Sequence, residues 1–252
     1  DDGIQSIKPF QKLKPRPCIF EYIYFSRPDS YLGGLSIYEC RKSFGKQLAI
    51  ESPMEADYVI PVPDSGVPSA LGYAEHSKIP FELGIIRNHY VGRTFIEPQQ
   101  SIRALSVKLK HNVNKALIDG KKIILIDDSI VRGTTSSKII EMLRDSGARE
   151  VHMRITSPPI KFPDFYGIDT PIQEQLLSAK HTIDEISKFL KADSISFLSI
   201  NGLYKAMGYP EGRDPDNPAF TDHCFTGDYP TKLSDNESNE EFSQLSLLSN
   251  LE

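Results

Sequence analysis

Residues 121–137, KKIILIDDSIVRGTTSS, constrain this chain more than any other stretch. Residues 123–126 are branched aliphatics without helical spacing, which predicts a strand buried on both faces of a parallel sheet. Asp127 and Asp128 end the run. Ser129, Arg132, Gly133, Thr134 and Thr135 belong to the hydroxyl-rich turn that follows. Ile139, Ile140, Met142 and Leu143 then recur at helical spacing, so a helix is expected to open at about residues 134–136. Strand, acidic pair, hydroxyl/glycine turn and helix together make the layout of a phosphate site. A helix N-terminus leaves N–H groups unpaired and carries partial positive charge, which favours an anion. Carboxylates at the strand end would hold ribose hydroxyls, or reach Mg²⁺ directly or through water. Neither a G-x-x-x-x-G-K-[ST] loop nor a G-x-G-x-x-G turn occurs. The plainer alternative is a strand-to-helix turn with solvated acids.

The flanking segments predict an alternating scaffold. Residues 18–25, CIFEYIYF, read as an aromatic strand before the turn Arg27-Pro28-Asp29. Residues 38–50 have helical spacing. Residues 58–62 read as a second buried strand ending in Pro63-Asp64-Ser65-Gly66, a small turn at the edge where open α/β sheets bind ligands. A helix-capping Asp/Ser turn is the alternative there. A third strand is expected at 81–86, running into a long basic segment at 87–115. Such a segment inside a compact domain reads as a mobile lid, or else as a solvated basic face. Strands at 151–156 and 194–198 alternate with helices at 182–190, capped by Thr182 and Glu185, and at 201–207. The expected fold is α/β, a mostly parallel open sheet with helices on both faces and a C-terminal extension.

Composition narrows the partners. With 252 residues, 39% of them hydrophobic, the chain can build one large domain or a domain plus an appendage. A formal net charge of -5 and no basic block argue against nucleic acid. No apolar run is long enough to span a bilayer, and no signal pattern occurs, so no membrane partner and a cytoplasmic location are expected. Cys18, Cys40 and Cys224 are too few and scattered for a disulfide framework. Residues 1–17 read as a linker, 18–233 as the domain and 234–252 as an acidic, poorly ordered tail.

The string ILIDDSIVRGTTS resembles the phosphoribosyl-pyrophosphate (PRPP) loop of type I phosphoribosyltransferases. With EYIYFSRPDS, VPDSG, YVGRTFI and YGIDTP in this order, the chain resembles the phosphoribosyltransferase half of the glutamine PRPP amidotransferase family. That resemblance implies attack of ammonia on PRPP to give 5-phosphoribosylamine and pyrophosphate, the first step of de novo purine synthesis. It implies Mg²⁺ on Ser65, Asp127 and Asp128. PRPP would lie on Asp64, Ser65, Gly66, Asp127, Asp128, Ser129, Arg132, Gly133, Thr134 and Thr135. Tyr90, Arg93 and Ile96 of the lid would take the catalytic role, closing on PRPP and completing an ammonia channel. It further implies a homo-oligomer, purine nucleotides as feedback inhibitors, and a glutaminase domain or chain as ammonia source. No glutaminase half is recognised in these residues, so a fragment or one piece of a processed protein is expected. Some family members hold an iron–sulfur cluster on four cysteines; the matching positions here are Cys18, Asp164, Thr221 and Cys224, so no cluster is expected. His223 beside Cys224 offers a further ligand, but a lone histidine in a loop reads more plainly as a polar residue. Two other readings remain open: a phosphoribosyltransferase acting on a nucleobase, and a non-enzymatic PRPP-sensing regulator.

Overall fold

The computed structural model describes residues 7, 14–88, 111–168, 170, 172–231 and 233. In chain order these form a π-helical turn (Glu21–Phe25), strands β1 (Tyr31–Leu32) and β2 (Leu35–Ser36), helix α1 (Ile37–Glu51), strand β3 (Tyr58–Pro61) and helix α2 (Val67–Ser77). Strands β4 (Ile85–Arg87) and β5 (His111–Val113), helix α3 (Lys115–Ile118), strand β6 (Lys122–Asp127), helix α4 (Thr134–Asp145) and strand β7 (Glu150–Ile155) follow. Helices α5 (Leu177–Lys180) and α6 (Ile183–Leu190), strand β8 (Ser194–Phe197) and helices α7 (Ile200–Ala206) and α8 (His223–Thr226) complete the order.

The aliphatic run becomes β6, an inner strand of a four-stranded parallel sheet in the order β3-β6-β7-β8. Its side chains alternate between two cores, as the period of a strand requires. Ile124 and Ile126 join Phe44 and Leu48 of α1 and Ala70 and Tyr73 of α2. Ile123 and Leu125 join Ile139, Ile140 and Leu143 of α4 and Ile186 and Leu190 of α6. Both faces are therefore apolar, which is why this stretch reads as a continuous hydrophobic run. The expected parallel sheet with helices on both faces is what forms.

Helices α1 and α2 cross backbone on backbone. A Cβ on Gly45 would lie 1.8 Å from the Ser69 carbonyl oxygen, and one on Gly72 would lie 1.9 Å from that of Lys42. The Ser69 hydroxyl donates to the Arg41 carbonyl at 3.1 Å across the same crossing.

Two expected elements differ. Residues 18–25 are helical from Ile19 on and not a strand. Ile19, Phe20, Tyr22 and Ile23 all turn into the first core at helical spacing, overriding the β-propensity of the aromatics. Two carbonyls of this turn are met by the buried Arg41 guanidinium, which donates to Tyr22 O at 3.0 Å and Ser26 O at 2.7 Å. The strand expected at 81–86 is split. Phe81 makes a single parallel bridge to Val59, and Ile85–Arg87 pairs instead with His111–Val113, antiparallel.

The C-terminal extension returns to the first core through Phe220, Cys224 and Phe225. Its anchor is Asp222, whose side chain is wholly buried beside Arg213. The carboxylate accepts from Arg213 Nε at 2.7 Å, from Tyr204 Oη at 2.7 Å and from Thr226 Oγ1 at 2.9 Å. Arg213 also reaches Asp228, which Arg16 meets at 3.0 Å, and Thr221 N donates to Pro17 O. Removing one partner of a buried pair strands the other charge, so Asp222→Ala is expected to lower unfolding free energy by about 3–5 kcal/mol. Urea denaturation of the variant against wild type measures this, and a loss under 1 kcal/mol, about the value of a surface pair, would demote the anchor.

Candidate functional site

The C-terminal ends of β3 and β6 lie side by side, so the turns after them share one edge. After β3, Val62 N donates to Ile126 O at 2.8 Å, bringing residues 63–66 against β6. Gly66 is needed for that approach, since a Cβ there would lie 2.6 Å from the Ile126 carbonyl oxygen. Helix α2 starts at Val67 directly behind it, and its N-cap, Gly66, makes no side-chain cap bond. The Ser65 hydroxyl reaches over to Asp128. Asp64 pairs with Arg87 of β4 at 2.5 Å.

After β6, Asp127 and Asp128 are both buried, 8% and 4% exposed, though they follow one another in sequence. The Asp128 amide donates to Asp127 Oδ1 at 2.9 Å, and the Ser129 hydroxyl donates to Asp128 Oδ1 at 2.6 Å. Thr156 N donates to Asp127 O at 3.0 Å, tying this turn to the end of β7. Burial first, and the neighbouring Asp128 charge second, hold the Asp127 carboxyl well above the ordinary carboxylate range. Burial raises Asp128 as well, offset by the Ser129 and Ser65 hydroxyls and by the Arg41 guanidinium.

The chain then turns through Gly133 at φ 74, the left-handed region that favours glycine. Leu177, Phe189 and Leu190 close the space a Cβ would need. Gly133 caps α4 without a side-chain bond, so the amides at the start of this twelve-residue helix keep their donors for an anion. Thr134 and Thr135 are exposed beside them. Arg132 is turned away from this cradle in part, with its guanidinium on Gln175 Oε1 at 3.0 Å.

Of the sequence-based candidates, Asp64, Ser65, Gly66, Asp127, Asp128, Ser129, Gly133, Thr134 and Thr135 thus fall on two adjoining turns at one sheet edge. Tyr90, Arg93 and Ile96 lie outside the described residues, as do residues 89–110 of the basic segment and residues 234–252 of the tail. Sequence reading missed Arg41, Ser69 and Thr156. Ser69 Oγ and Thr156 Oγ1 meet at 3.3 Å behind the acids, and Arg41 is 3% exposed beneath Asp128. An arginine among other charges in an amphipathic helix gives no local sign that it points inward.

The oxygen-only donor set of Asp127, Asp128 and Ser65 fits Mg²⁺, because among the described residues Arg41 supplies one positive charge to two adjacent buried carboxyls. The iron–sulfur positions do not fit a cluster. Asp164 Oδ2 accepts from His223 Nε2 at 2.8 Å, the Thr221 hydroxyl donates to Arg16 O at 2.7 Å, and only Cys18 and Cys224 carry thiols.

A raised folded-state pKa means the folded protein holds protons that the unfolded chain releases. The penalty is therefore absent at low pH, grows as pH rises past the unfolded carboxyl value, and is complete above the folded one. Asp127→Asn keeps the acceptor for the Asp128 amide and removes the repulsion. We expect it to stabilise the ligand-free chain at neutral pH by about 1–2 kcal/mol, the gain shrinking towards pH 4. Denaturation at the two pH values checks this; an equal effect at both would mean the acid is not destabilised.

Residues 44–156 match the family described as Phosphoribosyl transferase domain. The chain is 59% identical over 251 residues to the amidophosphoribosyltransferase of Rhizobium etli, covering 98% of this chain and 50% of that protein. It is 48% identical to the Bacillus subtilis amidophosphoribosyltransferase over 233 residues, 92% of this chain and 48% of that one. A solved glutamine PRPP amidotransferase from B. subtilis, complexed with ADP and GMP, superposes with a TM-score of 0.81 at 48% identity, covering 92% of this chain and 50% of that one. The chain therefore spans about half the length of the curated relatives it matches.

Proposed function

Because this chain belongs to the amidophosphoribosyltransferase family, with its type I phosphoribosyltransferase fold, we propose that it binds Mg²⁺–PRPP and transfers the phosphoribosyl group to ammonia. The observation that carries the reading is the pairing of buried Asp127 and Asp128 with the uncapped start of α4 on one sheet edge. In this reading the amides of residues 134–136 hold the 5′-phosphate, with the Thr134 and Thr135 hydroxyls beside them. Asp127 and Asp128 orient the ribose hydroxyls, and the amides of the 63–66 turn take the pyrophosphate. Mg²⁺, held by Asp127, Asp128 and Ser65, would supply countercharge for the departing pyrophosphate.

The ammonia lone pair forms the N–C1 bond as the C1–O bond to pyrophosphate breaks, and the attached nitrogen then loses a proton to solvent. Ammonia needs no strong base to act as nucleophile, so positioning and exclusion of water carry the rate. Tyr90, Arg93 and Ile96 belong in this reading to a lid that closes on PRPP and completes an ammonia channel, and a glutaminase domain or chain supplies the ammonia. The same reading includes a homo-oligomer inhibited by purine nucleotides. Among the described residues no helix is long and apolar enough to cross a membrane.

Pyrophosphate release tests the proposal. With PRPP, Mg²⁺ and ammonium salt, the 252-residue chain should turn over at a rate that climbs with pH as the NH₃ fraction grows. Glutamine should not replace ammonium. Asp128→Asn should lower kcat/KM at least tenfold in limiting Mg²⁺. Turnover with a nucleobase but not with ammonium would select a different phosphoribosyl acceptor, and no turnover with tight PRPP binding would select the sensor.

A further inference from the structure

Three ligating side chains meet in an enclosed place that uses no residue of the phosphate-facing edge. Asp164, His223 and Cys224 each offer one donor atom, and these atoms lie within 4.8 Å of one another. The Asp164 and His223 side chains are 2% and 1% exposed, and Cys224 is 3% exposed. Asp164 Oδ1 accepts three backbone N–H groups, from Tyr166 at 2.8 Å and from Gly167 and Ile168 at 3.0 Å. That grip fixes the carboxylate and points Oδ2 at His223 Nε2, 2.8 Å away. The same nitrogen stands 3.6 Å from Cys224 Sγ, while Nδ1 is buried with no hydrogen-bond partner.

The surroundings are apolar. Tyr229 stacks on the imidazole at 4.9 Å and Tyr166 meets its face edge-on at 5.3 Å. Cys18 approaches from the N-terminal side, where its backbone bridges Thr221, and its thiol is an electrostatic neighbour of both Asp164 and Cys224. Burial pushes both thiols up, so neither is a thiolate unless a cation arrives.

We propose that Asp164, His223 and Cys224 form a mononuclear Zn²⁺ site that fastens the 161–168 loop to α8, with Cys18 drawn in from the N-terminal segment as the fourth donor. A mixed S/N/O set in a closed apolar shell suits a four-coordinate structural zinc. The three amide donors on Asp164 Oδ1 are the outer contacts that orient a ligating carboxylate. Binding releases the two thiol protons to solvent and moves the imidazole proton of His223 from Nε2 to Nδ1, with no change of oxidation state. Ligand bonds of about 2.0–2.3 Å require the 2.8 Å contact between Asp164 and His223 to open and Cys18, which lies outside the group of three, to move in.

The full chain, purified without a metal-affinity tag under reducing conditions, is equilibrated with Zn²⁺ or Co²⁺ and dialysed. One equivalent of metal should remain, the Co²⁺ form should show thiolate-to-cobalt charge-transfer absorption, and Zn²⁺ should raise Tm. Cys224→Ser should lose much of that absorption and bind at least tenfold more weakly. Asp164→Asn keeps the Oδ1 acceptor and a hydrogen bond to the imidazole, so it should fold yet show no Zn²⁺-dependent rise in Tm. Wild type that retains no stoichiometric metal, with Tm unmoved by Zn²⁺, would overturn the proposal and leave the Asp164–His223 bond as a metal-free latch. Iron with matching sulfide, or metal binding untouched in Cys224→Ser, would overturn it as well. Because PRPP turnover depends on none of these residues directly, failure here is separable from failure of the proposed function.

Discussion

Two carboxylates on consecutive residues, both out of water, are the demand to which the rest of this structure answers. Desolvation and mutual repulsion oppose their ionisation, so the protein must surround them with donors or leave them protonated. The surrounding donors come from every direction. Ser65 reaches in from the neighbouring turn, Ser129 from the next residue and Arg41 from the helix beneath, while Thr156 fixes the backbone from the adjacent strand. A sheet edge is one of the few places where so many chain segments converge without covering the outward side. The stability forgone there is held in the two cores on which β6 lies.

The phosphate cradle depends on the second core in a specific way. Gly133 has Leu177, Phe189 and Leu190 against the place where a Cβ would sit, and Leu177 N donates to Val131 O at 2.9 Å. Helices α5 and α6 therefore shape a loop that lies some fifty residues earlier in the chain. The capping box of Thr182 and Glu185 starts α6 and so fixes where Phe189 and Leu190 fall.

Legibility in the sequence followed from how local each cause is. β6 and the start of α4 could be read because burial on both faces and an uncapped glycine turn are written in consecutive residues. The α6 capping box was equally plain. Residues 18–25 misled because Arg41, far along the chain, supplies the acceptors' partner that makes a helical turn viable there. Phe81 sits after Pro80 at the sheet margin and gains one bridge where a full strand was expected. Asp164 and His223 are 59 residues apart, and no spacing rule connects them. Arg41 is the same case: its helix reads as amphipathic and ordinary, and only the fold reveals that one charge points inward.

The crossing of α1 and α2 has a consequence for how this protein can vary over generations. Where side chains separate two helices, a substitution can be absorbed by neighbours that repack; at Gly45 and Gly72 carbonyl oxygens already occupy that space. A single methyl at either position would wedge the helices apart, moving Arg41 and the Gly66 turn at once. The two acids and the turn facing them would lose their common reference together. Drift on the outer faces of these helices is thus insulated from the chemistry, and the insulation fails at two atoms' width of backbone.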